Sequence, residues 1–252
     1  MNLATVTAAL PIGAVVGSFA ATAGLRWTRG EQALTGRSRC DACATPLGFG
    51  QTVPIVSYLR ASGACAACRA PIHPGHVFGE ALGAGLAVIS FAVLPIAAAT
   101  LAAGLGLILI AASVADVTSR RLPDVASLVV ALLGGTLALQ RGPMALVAGL
   151  VACAATAGAF LLLRRLFQAR SGEPGLGLGD VKLAAALALW LGAATPWAIV
   201  VAGVLGLAQT RLTRTGLSKS VDGRIAFGPA LALGGWSVGL ALQAGWFGDL
   251  IP

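Results

Sequence analysis

Charge is what this 252-residue chain has least of: Asp and Glu together number 9, and all charged residues make up 10%. Soluble globular domains carry charge on roughly a quarter of their residues, so a surface wetted on every side is excluded. The 17 Lys and Arg give a formal charge of +8, but they are not gathered into a patch interleaved with aromatics. They recur in short polar gaps between apolar runs, which argues against nucleic acid as a partner. No basic residue follows Met1-Asn2-Leu3, and no small-residue cleavage site closes the first apolar run. The sequence therefore predicts a retained first helix and not a removed signal peptide.

What the chain does have is hydrocarbon, at 57% hydrophobic residues and a mean hydropathy of +0.88. Runs long enough to cross about 30 Å of hydrocarbon at about 1.5 Å per residue lie near 3–25, 78–95, 97–115, 123–139, 143–163, 180–192, 194–210 and 226–246. The expected fold is an all-α polytopic membrane protein of about eight transmembrane helices with a small loop domain. The run near 180–192 is short and flanked by glycines, so it is expected to be tilted, broken, or fused with the next through Thr195-Pro196.

Because cytoplasmic loops retain positive charge, the basic residues set the orientation. With the N-terminus outside, the inner side holds Arg26, Arg29, Arg37, Arg39, Arg60 and Arg69, then Arg120 and Arg121. It also holds Arg164, Arg165, Arg170 and Lys182, and finally Arg211, Arg214, Lys219 and Arg224; only Arg141 falls outside.

The one sizeable polar segment, 26–77, carries Cys40-x-x-Cys43 and Cys65-x-x-Cys68 with 21 residues between the pairs. Two such knuckles can present four thiolates to one structural zinc, and a loop without a core of its own needs a staple. Two disulfides are the alternative, disfavoured because the charge pattern puts this loop in a reducing cytosol. His73 and His76 are read as surface histidines outside the ligand set, and Cys153 as a small buried hydrophobe.

Acid is so scarce that two aspartates at the edges of apolar runs stand out. Asp116 opens Asp116-Val117-Thr118-Ser119-Arg120-Arg121-Leu122-Pro123-Asp124, and Asp180 ends Gly177-Leu178-Gly179-Asp180. A carboxylate at membrane depth is costly to desolvate, so it marks a functional site by default. Two of them on the cytoplasmic side can share one proton, and such a pair activates water on an amide. Gly175, Gly177 and Gly179 leave room for an extended substrate backbone beside Asp180. The plainer readings are a flexible loop with Asp180 as a helix cap, and Asp124 as a cap of the fourth helix. Asp222 and Asp249 are read as solvated. Asp180 near a helix N-terminus is expected to carry the charge and act as base, with Asp116 starting protonated.

The motifs in this order resemble the bacterial type IV prepilin peptidases: Gly17-Ser18-Phe19, Ser38-Arg39-Cys40-Asp41-Ala42-Cys43, and Pro54-Ile55-Val56-Ser57-Tyr58-Leu59 with Gly63-Ala64-Cys65-Ala66-Ala67-Cys68. Leu122-Pro123-Asp124, Gly177-Leu178-Gly179-Asp180-Val181-Lys182-Leu183 and Phe227-Gly228-Pro229 complete the set. The resemblance implies Asp116 and Asp180 as the catalytic pair and Cys40, Cys43, Cys65 and Cys68 as ligands of a structural zinc. It implies a first transmembrane helix (1–25), a cytoplasmic zinc-binding domain (26–77) and a seven-helix catalytic membrane domain (78–252). The expected activity is cleavage after a glycine that ends the basic leader of type IV prepilins and pseudopilins. Methylation of the new N-terminal residue from S-adenosylmethionine follows, with Glu80 matching a glutamate tied to that step. The expected location is the bacterial inner membrane, N-terminus periplasmic and active site at the cytoplasmic face. The chain departs from the family at Ala21, where Asn is common, at His76-Val77 in place of Tyr-Pro, and at Glu173, one residue displaced. The rival readings are another Gly-x-Gly-Asp intramembrane protease, a transporter with a proton-relay acid pair, and a membrane methyltransferase without protease activity.

Overall fold

The computed structural model describes residues 3–32, 35–173, 175–214 and 226–248, so Lys219, Asp222, Arg224 and Asp249 lie outside the described residues. Among the described residues every regular element is helical: α1 (Leu3–Thr28), α2 (Val56–Arg60), α3 (Pro74–Val93), α4 (Ile96–Ser119), α5 (Asp124–Arg141), α6 (Pro143–Ser171), α7 (Leu178–Leu191), α8 (Thr195–Arg214) and α9 (Gly228–Gln243). With the short α2 aside, the helices fall on the eight expected apolar runs. Six stretches are long and apolar enough to cross a membrane, because Leu178–Arg211 counts as one stretch of 34 residues and α9 has only 16. The protein is an all-α, multi-pass membrane protein.

Helix ends follow local chemistry. Pro74 sits in the first turn of α3, where its missing N–H costs nothing, and His73 caps that turn by accepting from the Gly75 N–H at 3.1 Å. At the other end of the next helix, α4 runs past its expected stop at 115. Thr118 Oγ1 donates to the Val114 carbonyl at 2.7 Å and Ser119 Oγ to Ala115 at 2.9 Å, and the helix ends on Arg120 in the left-handed region at φ 56°. Asp116 therefore lies within the last turn of α4 and not beyond it. The sixth run continues into the seventh through a break at residues 192–194. α7 spans 14 residues, about 21 Å, and stops at Gly192 with φ +54°, where Thr195 Oγ1 ties back to the Gly192 carbonyl at 2.7 Å before α8 begins.

Without a hydrophobic drive between helices in lipid, close backbone packing must hold them together. Gly13, Gly17 and Ala21 on α1 face Gly79, Gly83 and Ala87 on α3 at four-residue spacing. A Cβ added at Gly17 would come within 2.2 Å of the Gly79 carbonyl oxygen, and one at Gly13 within 2.4 Å of the Gly83 oxygen. Gly24 packs likewise on Ala111 of α4, which brings the ends of α1 and α4 together beside the cysteine loop. Gly17→Val should therefore force the two helices apart. Overpacking costs about 1–3 kcal/mol, and the expected result is a melting transition in detergent lowered by about 2–10 °C.

α7 forms the centre of the membrane bundle, packed on α5, α6 and α9, with Val181, Leu183, Leu187, Trp190 and Leu191 all buried. Trp190 is fully buried because Gly134 on α5 and Gly239 on α9 leave it space; a Cβ at Gly239 would meet its ring at 2.5 Å. Arg141, the one basic residue expected outside, ends α5 and donates to the Trp190 carbonyl, capping α7 at the end away from the cysteine loop.

Candidate active site

Asp116 in the last turn of α4 and Asp180 in the first turn of α7 stand at the same end of the bundle, near enough to interact electrostatically. Asp116 is only 6% exposed, and its Oδ2 accepts the Gly228 N–H at 2.8 Å. That amide belongs to the first turn of α9, so the positive end of a helix meets the Asp116 carboxylate. A Cβ at Gly228 would lie 2.7 Å from the same oxygen, so only glycine lets α9 come this close. Asp180 Oδ1 is buried and has no hydrogen-bond partner among the described residues. A helix N-cap expectation fits neither acid. Gly177 caps α7, with Asp180 in the first turn beyond it, and Pro123 caps α5. The Asp124 side chain instead pairs with Lys182 at 2.7 Å on the surface.

The glycines before Asp180 also let the chain pack closely on itself. A Cβ at Gly175 would meet the Phe167 ring at 3.0 Å, one at Gly177 Asp180 Oδ2 at 3.0 Å, and one at Gly179 Leu122 Cβ at 2.9 Å. The space at Gly177 and Gly179 is taken by the protein itself, which draws the loop tight against α6 and the segment after α4. Arg164 of α6 holds that loop by donating to the Leu176 carbonyl.

The cysteine loop is built of two matching knuckles. Cys40 N donates to Thr45 O at 3.0 Å and Cys65 N to Ala70 O at 2.9 Å; Ala44 and Arg69, the residues after the second cysteine of each, both sit at positive φ. The matching geometry brings Cys40, Cys43, Cys65 and Cys68 sulfurs within 4.8 Å of one another, with Cys40 and Cys68 3.9 Å apart and none of the four in a disulfide. Thiolates around a tetrahedral zinc at 2.3 Å lie about 3.8 Å apart, so the donor set fits that metal. The Thr45 hydroxyl, 3.1 Å from Cys43 Sγ, pulls that thiol down to about 6, toward the ligand form.

Sequence reasoning missed how this loop is fastened to the bundle. His76 is not a bland surface residue: its Nε2 lies 3.0 Å from Asp41 Oδ2, beside the first knuckle, and its Nδ1 3.3 Å from Thr22 on α1. The same His76 bond, helped by Arg29, holds the Asp41 carboxyl well below the usual carboxylate range. Glu80 is buried, accepting from Ser18 Oγ at 2.8 Å and from the Ile55 N–H at 2.7 Å. Ser18 belongs to Gly17-Ser18-Phe19, which was the available signal. Neither histidine joins the cysteine cluster.

Two family models match this chain, the Bacterial Peptidase A24 N-terminal domain over residues 12–94 and the Type IV leader peptidase family over residues 103–210. A prepilin leader peptidase/N-methyltransferase of Neisseria gonorrhoeae is 32% identical over 213 residues, 83% of this chain and 72% of that protein. The chain belongs to the type IV leader peptidase family. Other relatives with the same name include one from Burkholderia pseudomallei, 35% identical over 79% of this chain and 65% of its own length, and one from Aeromonas hydrophila, 33% identical over 79% and 70%. No solved structure matches it significantly. The leader peptidase match runs from within α4 to the last turn of α8 and so takes in both aspartates, while the N-terminal match takes in α1, the cysteine loop and α3.

Proposed function

We propose that this chain cleaves the basic leader from type IV prepilins and pseudopilins with Asp116 and Asp180 as an aspartic pair. The observation that carries this reading is the placement of the two carboxyls at one end of the bundle, Asp116 buried and Asp180 Oδ1 shielded with no hydrogen-bond partner among the described residues. In the bacterial inner membrane with the N-terminus periplasmic, that end is the cytoplasmic face, where a prepilin would present its leader. Only Arg141 of the basic residues then faces outward.

The roles within the pair reverse the expectation drawn from α4 and α7 alone. Asp116 is held in place by the Gly228 amide at the start of α9, while Asp180 Oδ1 has no partner among the described residues, so Asp116 is taken as the base and Asp180 as the holder of the shared proton. Asp116 takes a proton from water as the water oxygen bonds to the scissile carbonyl carbon, and Asp180 gives its proton to the carbonyl oxygen. When the C–N bond breaks, Asp116 returns its proton to the leaving amine and the gem-diol proton passes back to Asp180. One water is consumed, leaving a leader carboxylate and a mature chain with a free amino terminus.

A structural zinc held by Cys40, Cys43, Cys65 and Cys68 would fold residues 26–77, and Glu80 and His76 would moor that domain on α1 and α3. The expected measurement is one zinc per chain by elemental mass spectrometry. The pair Cys40→Ser with Cys65→Ser should remove it and open the loop to protease; full metal content in that variant would exclude these ligands. N-methylation from S-adenosylmethionine is carried over from the relatives' name. Glu80 accepts one bond on each oxygen, from Ser18 Oγ and the Ile55 N–H, and no step is derived through it.

The whole reading is tested by incubating purified protein with a prepilin peptide and following leader release and methyl gain by mass spectrometry. Omitting S-adenosylmethionine should abolish the methyl gain and leave cleavage intact. A protein that carries protons across vesicles but never cuts the peptide would favour the transporter reading instead.

A further inference from the structure

Arg120 follows Asp116 by one helical turn, and its backbone N–H donates to the Asp116 carbonyl at 2.8 Å. Its φ of 56° places a non-glycine residue in the left-handed region, a conformation that persists where the surroundings impose it and that gathers at functional sites. The side chain is stranger than the backbone. Nε and Nη1 are both shielded from solvent, yet neither has a hydrogen-bond partner among the described residues. The guanidinium nevertheless lies close enough to the Asp116 carboxylate to interact with it. Donors shielded from water and left idle are costly, because they have given up hydration without an acceptor in return.

Three acceptors could match those donors. The site's own carboxyls do not: Asp116 Oδ2 accepts the Gly228 amide, and neither Asp116 nor the unpartnered Asp180 Oδ1 is bonded to Arg120 Nε or Nη1 among the described residues. A lipid phosphate would need Nε and Nη1 to reach the surface, and they do not. What remains is an oxygen that arrives with the substrate. The site already holds two carboxyls, so a third anion would be poorly received, whereas a neutral carbonyl that gains negative charge during the reaction suits a fixed cation.

We infer that Arg120 is a third catalytic group, donating hydrogen bonds to the scissile carbonyl oxygen as the tetrahedral intermediate forms. The inference rests on the aspartate-pair reading. The guanidinium keeps its protons throughout; Asp180 supplies the proton that the oxygen finally takes.

The test uses full-length protein in detergent, a peptide spanning a basic prepilin leader and the first apolar residues, and the variants Arg120→Gly and Arg120→Lys. Glycine removes the donors while suiting the positive φ, so the melting transition should hold or rise. The expected result is a kcat lower by about 100-fold with KM within about 3-fold. Millimolar guanidinium, but not urea, should recover part of it, and Arg120→Lys should retain more activity than the glycine variant. A kcat near wild type overturns the inference, including the case in which only the pH profile moves and its maximum stays. So does activity lost together with the melting transition, which would make Arg120 a helix cap, and so does a loss that neither guanidinium nor lysine recovers. Asp116→Asn and Asp180→Asn run in parallel: wild-type turnover by either removes the pair itself, whereas two dead aspartate variants beside an active Arg120→Gly sink this inference alone.

Discussion

Asp116→Asn and Asp180→Asn should each stop leader release while leaving the helix bundle folded. Asparagine matches aspartate in size and keeps an oxygen to accept the Gly228 amide, so the packing around position 116 has no reason to change. What it cannot do is take a proton from water or hand one to the carbonyl oxygen. Acid–base catalysis by a positioned group contributes about 10²–10⁴-fold, and in the proposed reaction each residue serves in both halves. The expected loss is at least about 1,000-fold in kcat, with an unchanged melting transition. Asp124→Asn is the control, since it breaks only an exposed pair with Lys182 and should leave turnover within about 2-fold. A pre-cleaved peptide with a free amino terminus should still gain a methyl group in both aspartate variants. Wild-type cleavage by either would remove the aspartic mechanism and favour a methyltransferase without protease activity.

Hydropathy carried most of the fold, because in lipid the backbone must satisfy itself within each segment and a long apolar run has no choice but helix. The errors sit at helix ends, where side chains decide. Thr118 and Ser119 extend α4 by bonding back to its carbonyls, and Gly192 cuts α7 from α8. Cysteine spacing was legible because a four-thiolate metal site would impose it, and the two knuckles repeat one backbone pattern. Long-range partners were not legible. Nothing in the spacing of His76, Asp41 and Thr22 says that they meet, since that depends on how α1 packs on α3. The same holds for Gly177 and Gly179. Sequence shows only that a side chain is missing there, and the structure shows that Leu122 and the Asp180 carboxyl take up the space.

The arrival of α9 at Asp116 is the clearest such case, and it leads to the second large effect. Phe227-Gly228-Pro229 is separated from Asp116 by more than a hundred residues, yet the Gly228 amide supports the carboxylate and its missing Cβ makes the approach possible. Gly228→Ala would place a carbon 2.7 Å from Asp116 Oδ2, closer than real contacts allow, so either α9 retreats or the carboxylate turns away. Either movement breaks the 2.8 Å bond and shifts the base from its water. A displacement of about 1 Å at a reacting group can cost about 100-fold, so kcat should fall by that order with KM little altered. Gly203→Ala on α8 serves as the control, since a Cβ there meets nothing within 4 Å and should leave kcat unchanged. Equal activity in the two alanine variants would mean that α9 does not hold the catalytic carboxylate, and the assignment of Asp116 as base would lose its support.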